Sequence, residues 1–123
     1  MPDRQKRQRP EQQLHLAVMQ YLRTAAPYAE CFHIPNGGYR RKLEASILKG
    51  MGVKSGVADI CILWRPARVA FIELKAPQNR DGLSPAQVQF RMRLLELEIP
   101  FSVCKSIDDV RASLQAWGVP HRG

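Results

Sequence analysis

Apolar residues recur along the chain with two different periods, and the changes between them predict alternating helices and strands. Spacing of three or four residues, typical of one helix face, is found in residues 11–26, 40–52, 84–97 and 106–117. Continuous, mostly apolar runs, typical of buried strands, occupy residues 31–34, 58–64, 69–74 and 100–104. The resulting order, α-β-α-β-β-α-β-α, predicts an α/β fold in which helices flank a central mixed sheet. The second and third runs are expected to form a hairpin at the centre of this sheet, with both strands covered on both faces.

The same pattern divides the chain into three parts. Residues 1–10 contain four Lys or Arg side chains and almost nothing apolar, which predicts a flexible basic arm. A single domain is expected over residues 11–118, followed by a short tail at residues 119–123. A chain of 123 residues is long enough to build one hydrophobic core without disulfides or a structural metal.

Charged side chains stand at the ends of the two most apolar runs. Asp59 opens the first of these runs, and Glu73 and Lys75 close the second. Because side chains alternate along a strand, Glu73 and Lys75 share one face. In a hairpin, a three-residue loop places Asp59 opposite Glu73, a five-residue loop places it opposite Lys75, and a four-residue loop turns it to the other face. We expect one of the first two alignments, or a bulge with the same effect.

Two carboxylates beside an ammonium group are suited to the hydrolysis of a phosphodiester. Hard oxygen ligands bind Mg²⁺ or Mn²⁺, and such a cation lowers the pKa of a bound water and neutralises charge on the phosphate. A nearby lysine orients the attacking water or stabilises the transition state. The structural alternative is a surface salt bridge between Glu73 and Lys75 at the end of a strand, with Asp59 as a turn residue.

The overall charge predicts a polyanionic partner. There are 19 Lys and Arg residues against 11 Asp and Glu, a net charge of +8, which favours nucleic acid or an anionic membrane surface. Cys31, Cys61 and Cys104 are odd in number and lack metal-binding spacing, which predicts buried, reduced thiols and a cytoplasmic location. No apolar run is long enough to cross a bilayer, so a membrane protein is not expected.

Five segments in order carry a resemblance to a known family. They are Glu11 at the start of the first helix, HIPNGG at 33–38, GVADI at 56–60, FIELK at 71–75 and LSPAQ at 83–87. Asp59 followed by Glu73-Leu74-Lys75 is similar to the PD-(D/E)xK nuclease signature, and the ordered set resembles the VRR-NUC (virus-type replication–repair nuclease) family. The resemblance implies a restriction-endonuclease-like α/β sandwich. Ala58 departs from the proline that the family often has at this point, but no ligand is lost.

The resemblance also implies roles for individual residues. Glu11 would reach the site as an outer acidic ligand or orienting group, although it can also simply favour the first turn of a helix. Gln87 would contact the site from its helix, although it can also complete a capping box with Ser84. The implied catalytic residues are Asp59, Glu73, Lys75, Gln87 and Glu11, and the implied ligands of Mg²⁺ or Mn²⁺ are Asp59, Glu73, the Leu74 carbonyl and Glu11.

By the same resemblance, the expected function is that of a metal-dependent DNA endonuclease. It would act in DNA repair on branched DNA, such as a Holliday junction or a flap, as a homodimer in a bacterial or phage-infected cytoplasm, without a small-molecule cofactor. Two alternatives stay open: a non-catalytic nucleic-acid-binding module with a nuclease fold, and a sequence-specific restriction-type endonuclease. A turn and its basic neighbours are expected to contact the DNA backbone: Asn36, Gly37, Gly38, Arg40, Arg41, Lys42 and Lys54.

Overall fold

A computed structural model describes residues 2–35, 42–79 and 82–123. Within these residues the elements follow the order that the sequence predicts. They are α1 (Pro2–Ala25), β1 (Glu30–His33), α2 (Lys42–Gly50), β2 (Ile60–Trp64), β3 (Arg68–Leu74), α3 (Pro85–Glu96), β4 (Phe101–Cys104) and α4 (Ile107–Trp117).

The four strands form one mixed sheet in the order β1-β2-β3-β4. The β1–β2 and β2–β3 pairs are antiparallel, and β3 and β4 are parallel. The β2–β3 hairpin is therefore central, as predicted. Its register pairs Trp64 with Arg68 and Ile60 with Ile72, which is the alignment of the three-residue loop. Asp59 therefore extends β2 at the position opposite Glu73, and the predicted alignment is confirmed.

Helices cover both faces of the sheet. On one face, Leu22 of α1 and Leu114 of α4 pack into a buried core with Ile60, Ile62 and Ile72 of the central strands. On the other face, the ring of Phe90 in α3 meets Phe71 of β3 edge to face, with 5.4 Å between the ring centroids. Burial of these apolar side chains is the main force that holds the layers together. The α/β sandwich expected from the sequence is confirmed.

The N-terminal boundary differs from the prediction. The apolar spacing predicted a first helix from about residue 11, whereas α1 begins at Pro2 and so includes residues 2–9 of the predicted basic arm. Arginine, lysine and glutamine, which dominate this segment, have high intrinsic helix propensity. A segment without apolar residues therefore continues the helix that the buried stripe from Val18 to Leu22 anchors.

The face of the sheet that α3 covers is partly open. Leu63 in β2 is 40% exposed and Phe32 in β1 is also exposed, so the expectation that both central strands are covered on both faces was wrong at Leu63. The apolar stripe of α2 is likewise exposed, up to 77% at Met51 just beyond its end. A periodic apolar stripe identifies a helix, but it does not show what covers that helix.

The cysteines fit the predicted reduced state. Cys31, Cys61 and Cys104 lie in β1, β2 and β4 and are all free. Burial raises the pKa of the Cys31 and Cys104 thiols to about 11, so neither is a thiolate nucleophile at neutral pH. Among the described residues, no helix combines the length and the apolar character needed to cross a membrane.

Candidate active site

A cleft of about 510 Å³ lies where β1 ends, β2 begins and β3 ends. It is bordered by α1, by the sheet and by the first turn of α3, so five separate segments of the chain contribute to it. Polar and charged side chains predominate among the residues that line it: Glu11, Gln12, His15, Leu16, His33, Asp59, Glu73, Leu74, Lys75 and Gln87.

Asp59 and Glu73 bring two carboxyl groups together in this cleft. One oxygen of Asp59, Oδ2, accepts a hydrogen bond from the backbone N–H of Leu74 at 2.7 Å. The Glu73 side chain is buried, with only 4% of the residue exposed, and it lies close enough to the Asp59 carboxyl group for that group to raise its pKa. The register of the hairpin is the direct cause of this convergence, because it places the two residues side by side on neighbouring strands.

The buried position of Glu73 makes its negative charge unfavourable. Burial and, after it, the Asp59 carboxyl group beside it together raise the pKa of Glu73 to about 9, while the Lys75 ammonium opposes the shift. Glu11 also contributes negative charge. Without a cation, burial and the neighbouring carboxyl group therefore favour the protonated form of Glu73. A perturbed carboxyl pair in a cleft is typical of a functional site.

Gln87 satisfies both roles that the sequence left open. Its Oε1 accepts a hydrogen bond from the backbone N–H of Ser84 at 2.8 Å, while the Ser84 Oγ accepts from the Gln87 N–H, which completes the capping box of α3. Its Nε2 donates to Oε2 of Glu73 at 3.0 Å. One amide side chain therefore fixes the start of α3 and orients a carboxyl group in the cleft.

Lys75 and Glu11 complete the charged lining. Lys75 follows the last residue of β3, and its N–H donates to the Cys104 carbonyl at 3.0 Å, which extends the β3–β4 pairing to this point. Glu11 lies in α1 and is half-buried at the border of the cleft. The structure thus brings together all five side chains that the sequence singled out for catalysis, together with the backbone of Leu74.

A close backbone approach places α3 against the loop before β2. Gly56 has a φ of +81°, and a Cβ atom at this position would stand 2.3 Å from the Ala86 carbonyl oxygen and 2.8 Å from the Gln87 nitrogen. Only glycine fits such a contact without moving the backbone. The first turn of α3, and with it Gln87, is therefore positioned by the absence of a side chain at residue 56.

We expect Gly56→Ala to destabilise the fold by about 2–3 kcal/mol, because left-handed strain adds to a backbone clash. It should also separate Gln87 from Glu73. Denaturant unfolding measures the first effect, and the side-chain amide signals of Gln87 in NMR spectra report the second. Gly50→Ala is the matched control, since a Cβ atom there has nothing within 4 Å; equal stability losses in both variants would contradict the proposed packing role.

Two histidines in the cleft were not recognised as site residues in the sequence, where they show no metal-ligand spacing. The rings of His15 and His33 form a T-shaped pair with 4.2 Å between their centroids. Burial lowers the pKa of His15, and the neighbouring His33 lowers it further while Asp59 opposes the shift, so the neutral form of His15 is favoured. A signal for His15 was present, because it lies one helical turn after Glu11 and hence on the same face of α1.

The structure describes two of the seven residues expected to bind the DNA backbone. Asn36, Gly37, Gly38, Arg40 and Arg41 lie outside the described residues. Lys42 is the first residue of α2. Lys54 is exposed in the loop that follows α2, and it is not part of the cleft lining.

The donor set of the cleft fits Mg²⁺ or Mn²⁺ better than a softer metal. Among the described residues, no group of three or more His, Cys, Asp or Glu side chains is arranged to hold a metal ion. Asp59 and Glu73 instead supply hard carboxylate oxygen atoms, and the family resemblance adds the carbonyl of Leu74, a residue that lines the cleft. Mg²⁺ commonly binds to one or two carboxylates and retains several waters, and a cation would favour the charged form of Glu73 against the effects of burial and Asp59.

Comparisons with known proteins identify the same fold. The chain matches the VRR-NUC domain over residues 3–108. It is similar to a solved structure described as a VRR_NUC domain protein, with 28% sequence identity, a TM-score of 0.66, and coverage of 88% of this chain and 87% of that chain. No curated protein matches the chain significantly.

Proposed function

Because the chain belongs to the VRR-NUC family, a family of nuclease-type fold, we propose that it is a metal-dependent DNA endonuclease with a preference for branched DNA. The proposal specifies Mg²⁺ or Mn²⁺ as the cofactor and a homodimer as the active form. We also place its action in the reducing cytoplasm, in keeping with three free cysteines.

The observation that carries this proposal is the meeting of Asp59, Glu73 and Lys75 in one cleft. A surface salt bridge, the structural alternative for Glu73 and Lys75, does not account for a glutamate that is only 4% exposed. Buried carboxyl pairs are costly to the fold unless a partner compensates them. A divalent cation is such a partner, and it would also supply the water activation and charge neutralisation that phosphodiester hydrolysis uses.

Asp59, Glu73 and the Leu74 carbonyl would hold the cation. When bound, Mg²⁺ or Mn²⁺ supplies activation of water and neutralisation of charge on the phosphate. The protein prepares the site in advance, since the Leu74 N–H holds Asp59 and the Gln87 amide holds Glu73. Such fixed partners orient ligands and tune their affinity.

Lys75 is the residue that we assign to the reaction itself. Its ammonium group lines the cleft beside the carboxyl pair and is positioned to orient the attacking water or to stabilise negative charge as it develops on the phosphate. Glu11 adds a negative charge at the border of the cleft, where it would hold a hydrated cation through its water shell. Within the part of the chain that the structure describes, neither Lys75 nor Glu11 forms a salt bridge.

The net charge of +8 supports a nucleic-acid substrate. Cationic surfaces bind the phosphate backbone through counterion release, without reading sequence. The retention of Asp59, Glu73 and Lys75 favours an enzyme over a non-catalytic binding module.

The outer face of α3 supports the proposed homodimer. Val88, Met92 and Leu95 are spaced at helical intervals and are exposed, while Leu94 on the other side of the helix is buried in the fold. A helix that is apolar on both sides is commonly covered on both sides. Two-fold pairing would present two clefts to two strands of a branched substrate.

A cleavage panel tests the proposed function. Purified protein is incubated with four-way junction, flap, splayed-arm and linear duplex DNA, each with Mn²⁺, Mg²⁺ or EDTA. We expect cleavage only with a divalent cation, at least about tenfold faster on a branched substrate than on linear duplex, a difference of about 1.4 kcal/mol in transition-state binding. Cuts on both strands within a single binding event would support the homodimer.

The Glu73→Ala variant is the control for contaminating nuclease and should not cut any substrate. Metal-dependent binding by the wild-type protein without cleavage would favour the non-catalytic module. A discrete set of fragments from long linear DNA would favour a restriction-type enzyme. If the wild-type protein cut DNA in EDTA as fast as it does with Mn²⁺ or Mg²⁺, the proposed dependence on metal would be contradicted.

A further inference from the structure

The carbonyl oxygen of Asp59 accepts two hydrogen bonds at the end of β1, one from the last residue of the strand and one from the residue after it. The backbone N–H of Ile34 donates to it at 2.8 Å, and the His33 ring contacts the same oxygen through Nδ1, also at 2.8 Å. This occurs one residue beyond the last β1–β2 pair, His33 with Ile60. The peptide group between Asp59 and Ile60 is therefore fixed at the end of β1 by one backbone hydrogen bond and one side-chain hydrogen bond.

The contact determines the state of the His33 ring. A carbonyl oxygen only accepts hydrogen bonds, so Nδ1 of His33 must donate. The His15 ring then packs against His33 at a centroid distance of 4.2 Å and an angle of 81°, which limits rotation of the His33 side chain. His15 on α1, His33 on β1 and Asp59 before β2 thus form a chain of contacts across three segments.

From these contacts we propose that His33 is a positioning residue for the divalent cation, which it serves by fixing the backbone of Asp59, with His15 as its packing support. The proposal rests on the proposed function, because it assumes that Asp59 is a metal ligand. Groups that orient ligands from outside the coordination shell commonly change metal affinity by about 10- to 100-fold when they are removed.

The inference is specific to one nitrogen atom of the ring, and this makes it testable by substitution. Asparagine carries an amide nitrogen at about the place of Nδ1, whereas glutamine carries one nearer to Nε2. If the hydrogen bond to the Asp59 carbonyl fixes the backbone, His33→Asn should still position Asp59 for the cation, whereas His33→Gln and His33→Ala should not.

The first readout is Mn²⁺ binding without DNA. It is measured by titration calorimetry or by the loss of the free Mn²⁺ signal in electron paramagnetic resonance. We expect His33→Ala and His33→Gln to weaken Mn²⁺ binding by about 10- to 100-fold, and His33→Asn to stay within about threefold of the wild type. His121→Ala is the matched control, because the His121 ring makes the same kind of contact, to the Val119 carbonyl at 2.7 Å, in the C-terminal segment. It should bind Mn²⁺ as the wild type does.

The second readout needs no metal. The Leu74 amide proton is bonded to the Asp59 carboxylate, so its chemical shift in the metal-free protein reports the position of Asp59. We expect this shift to change in His33→Ala and His33→Gln and to return in His33→Asn. Unchanged Mn²⁺ affinity and an unchanged Leu74 shift in His33→Ala would overturn the positioning role, as would equal effects of all three substitutions. Failure of the wild type to bind Mn²⁺ would instead overturn the proposed function, and the Leu74 shift would still decide the role of His33.

Discussion

Replacement of Lys75 by alanine is expected to slow DNA cleavage by about 100- to 1,000-fold, which is typical for the loss of one group that stabilises charge in a transition state. Binding to DNA should change little, because Lys75 is one of 19 lysines and arginines. Single-turnover cleavage at saturating protein measures the first quantity, and the salt dependence of DNA affinity measures the second. Loss of one phosphate contact reduces the slope of that dependence by only about 0.9.

The Lys75 substitution also acts on the carboxyl pair. The ammonium group lowers the pKa of Glu73 against the effects of burial and Asp59, so its loss should leave Glu73 more strongly protonated and weaken the binding of a cation. Cleavage is therefore to be measured over a range of Mn²⁺ concentrations up to saturation. A defect that persists at saturation belongs to the chemical step, and one that disappears belongs to metal binding.

The matched control for Lys75 is Lys49→Ala. Lys49 carries the same charge in the last turn of α2, is exposed and is absent from the cleft. We expect it to cut DNA at close to the wild-type rate. If Lys75→Ala were as active as this control at every Mn²⁺ concentration, Lys75 would have no part in the reaction.

Substitution of Glu73 by glutamine should stabilise the metal-free protein while it abolishes cleavage. Glutamine keeps the shape of the side chain and can still donate toward Asp59, but it carries no charge in a buried position. We expect the free energy of unfolding near pH 8 to rise by about 1–2 kcal/mol, since active sites often retain such unfavourable groups at the expense of stability. Chemical denaturation in EDTA measures this difference.

The pH dependence of this effect has a definite sign. The folded-state pKa of Glu73 is raised from 4.5 to about 9, so between these values the folded protein binds more protons than the unfolded chain. The stability of the metal-free wild type should therefore fall as the pH rises from about 4.5 to 9, and this part of the fall should be absent in Glu73→Gln. Near pH 4.5 the two proteins should differ little.

A divalent cation should change the difference in stability between the wild type and Glu73→Gln in the opposite direction. Added Mg²⁺ or Mn²⁺ should raise the stability of the wild type, because a ligand that binds only the folded state stabilises it, and should have much less effect on Glu73→Gln. A Glu73→Gln protein that is less stable than the wild type near pH 8 in EDTA would show that the carboxylate charge is not a burden on the fold.

The β2–β3 hairpin shows how much of the structure can be predicted from residues that are close together in the sequence. The sequence narrowed the register to a few alignments, and the observed pairing of Trp64 with Arg68 selected the one that sets Asp59 opposite Glu73. Helix ends were also predictable. Ser106 is the N-cap of α4, and Gly118 ends the helix in a left-handed conformation; both residue types are typical of these positions, because capping depends on residues within one turn of the helix end.

The sequence alone determined the order of the elements, the central hairpin and the residue types that meet at its end. These follow from side-chain periodicity and from turn length, which are local properties. Only the tertiary structure decided that His15 meets His33, that Gln87 joins its cap to Glu73 and that Gly56 touches the start of α3. Contacts of this kind join segments that are distant in the chain, and they depend on how whole helices pack on the sheet. Packing leaves no repeat in the sequence from which such contacts could be inferred.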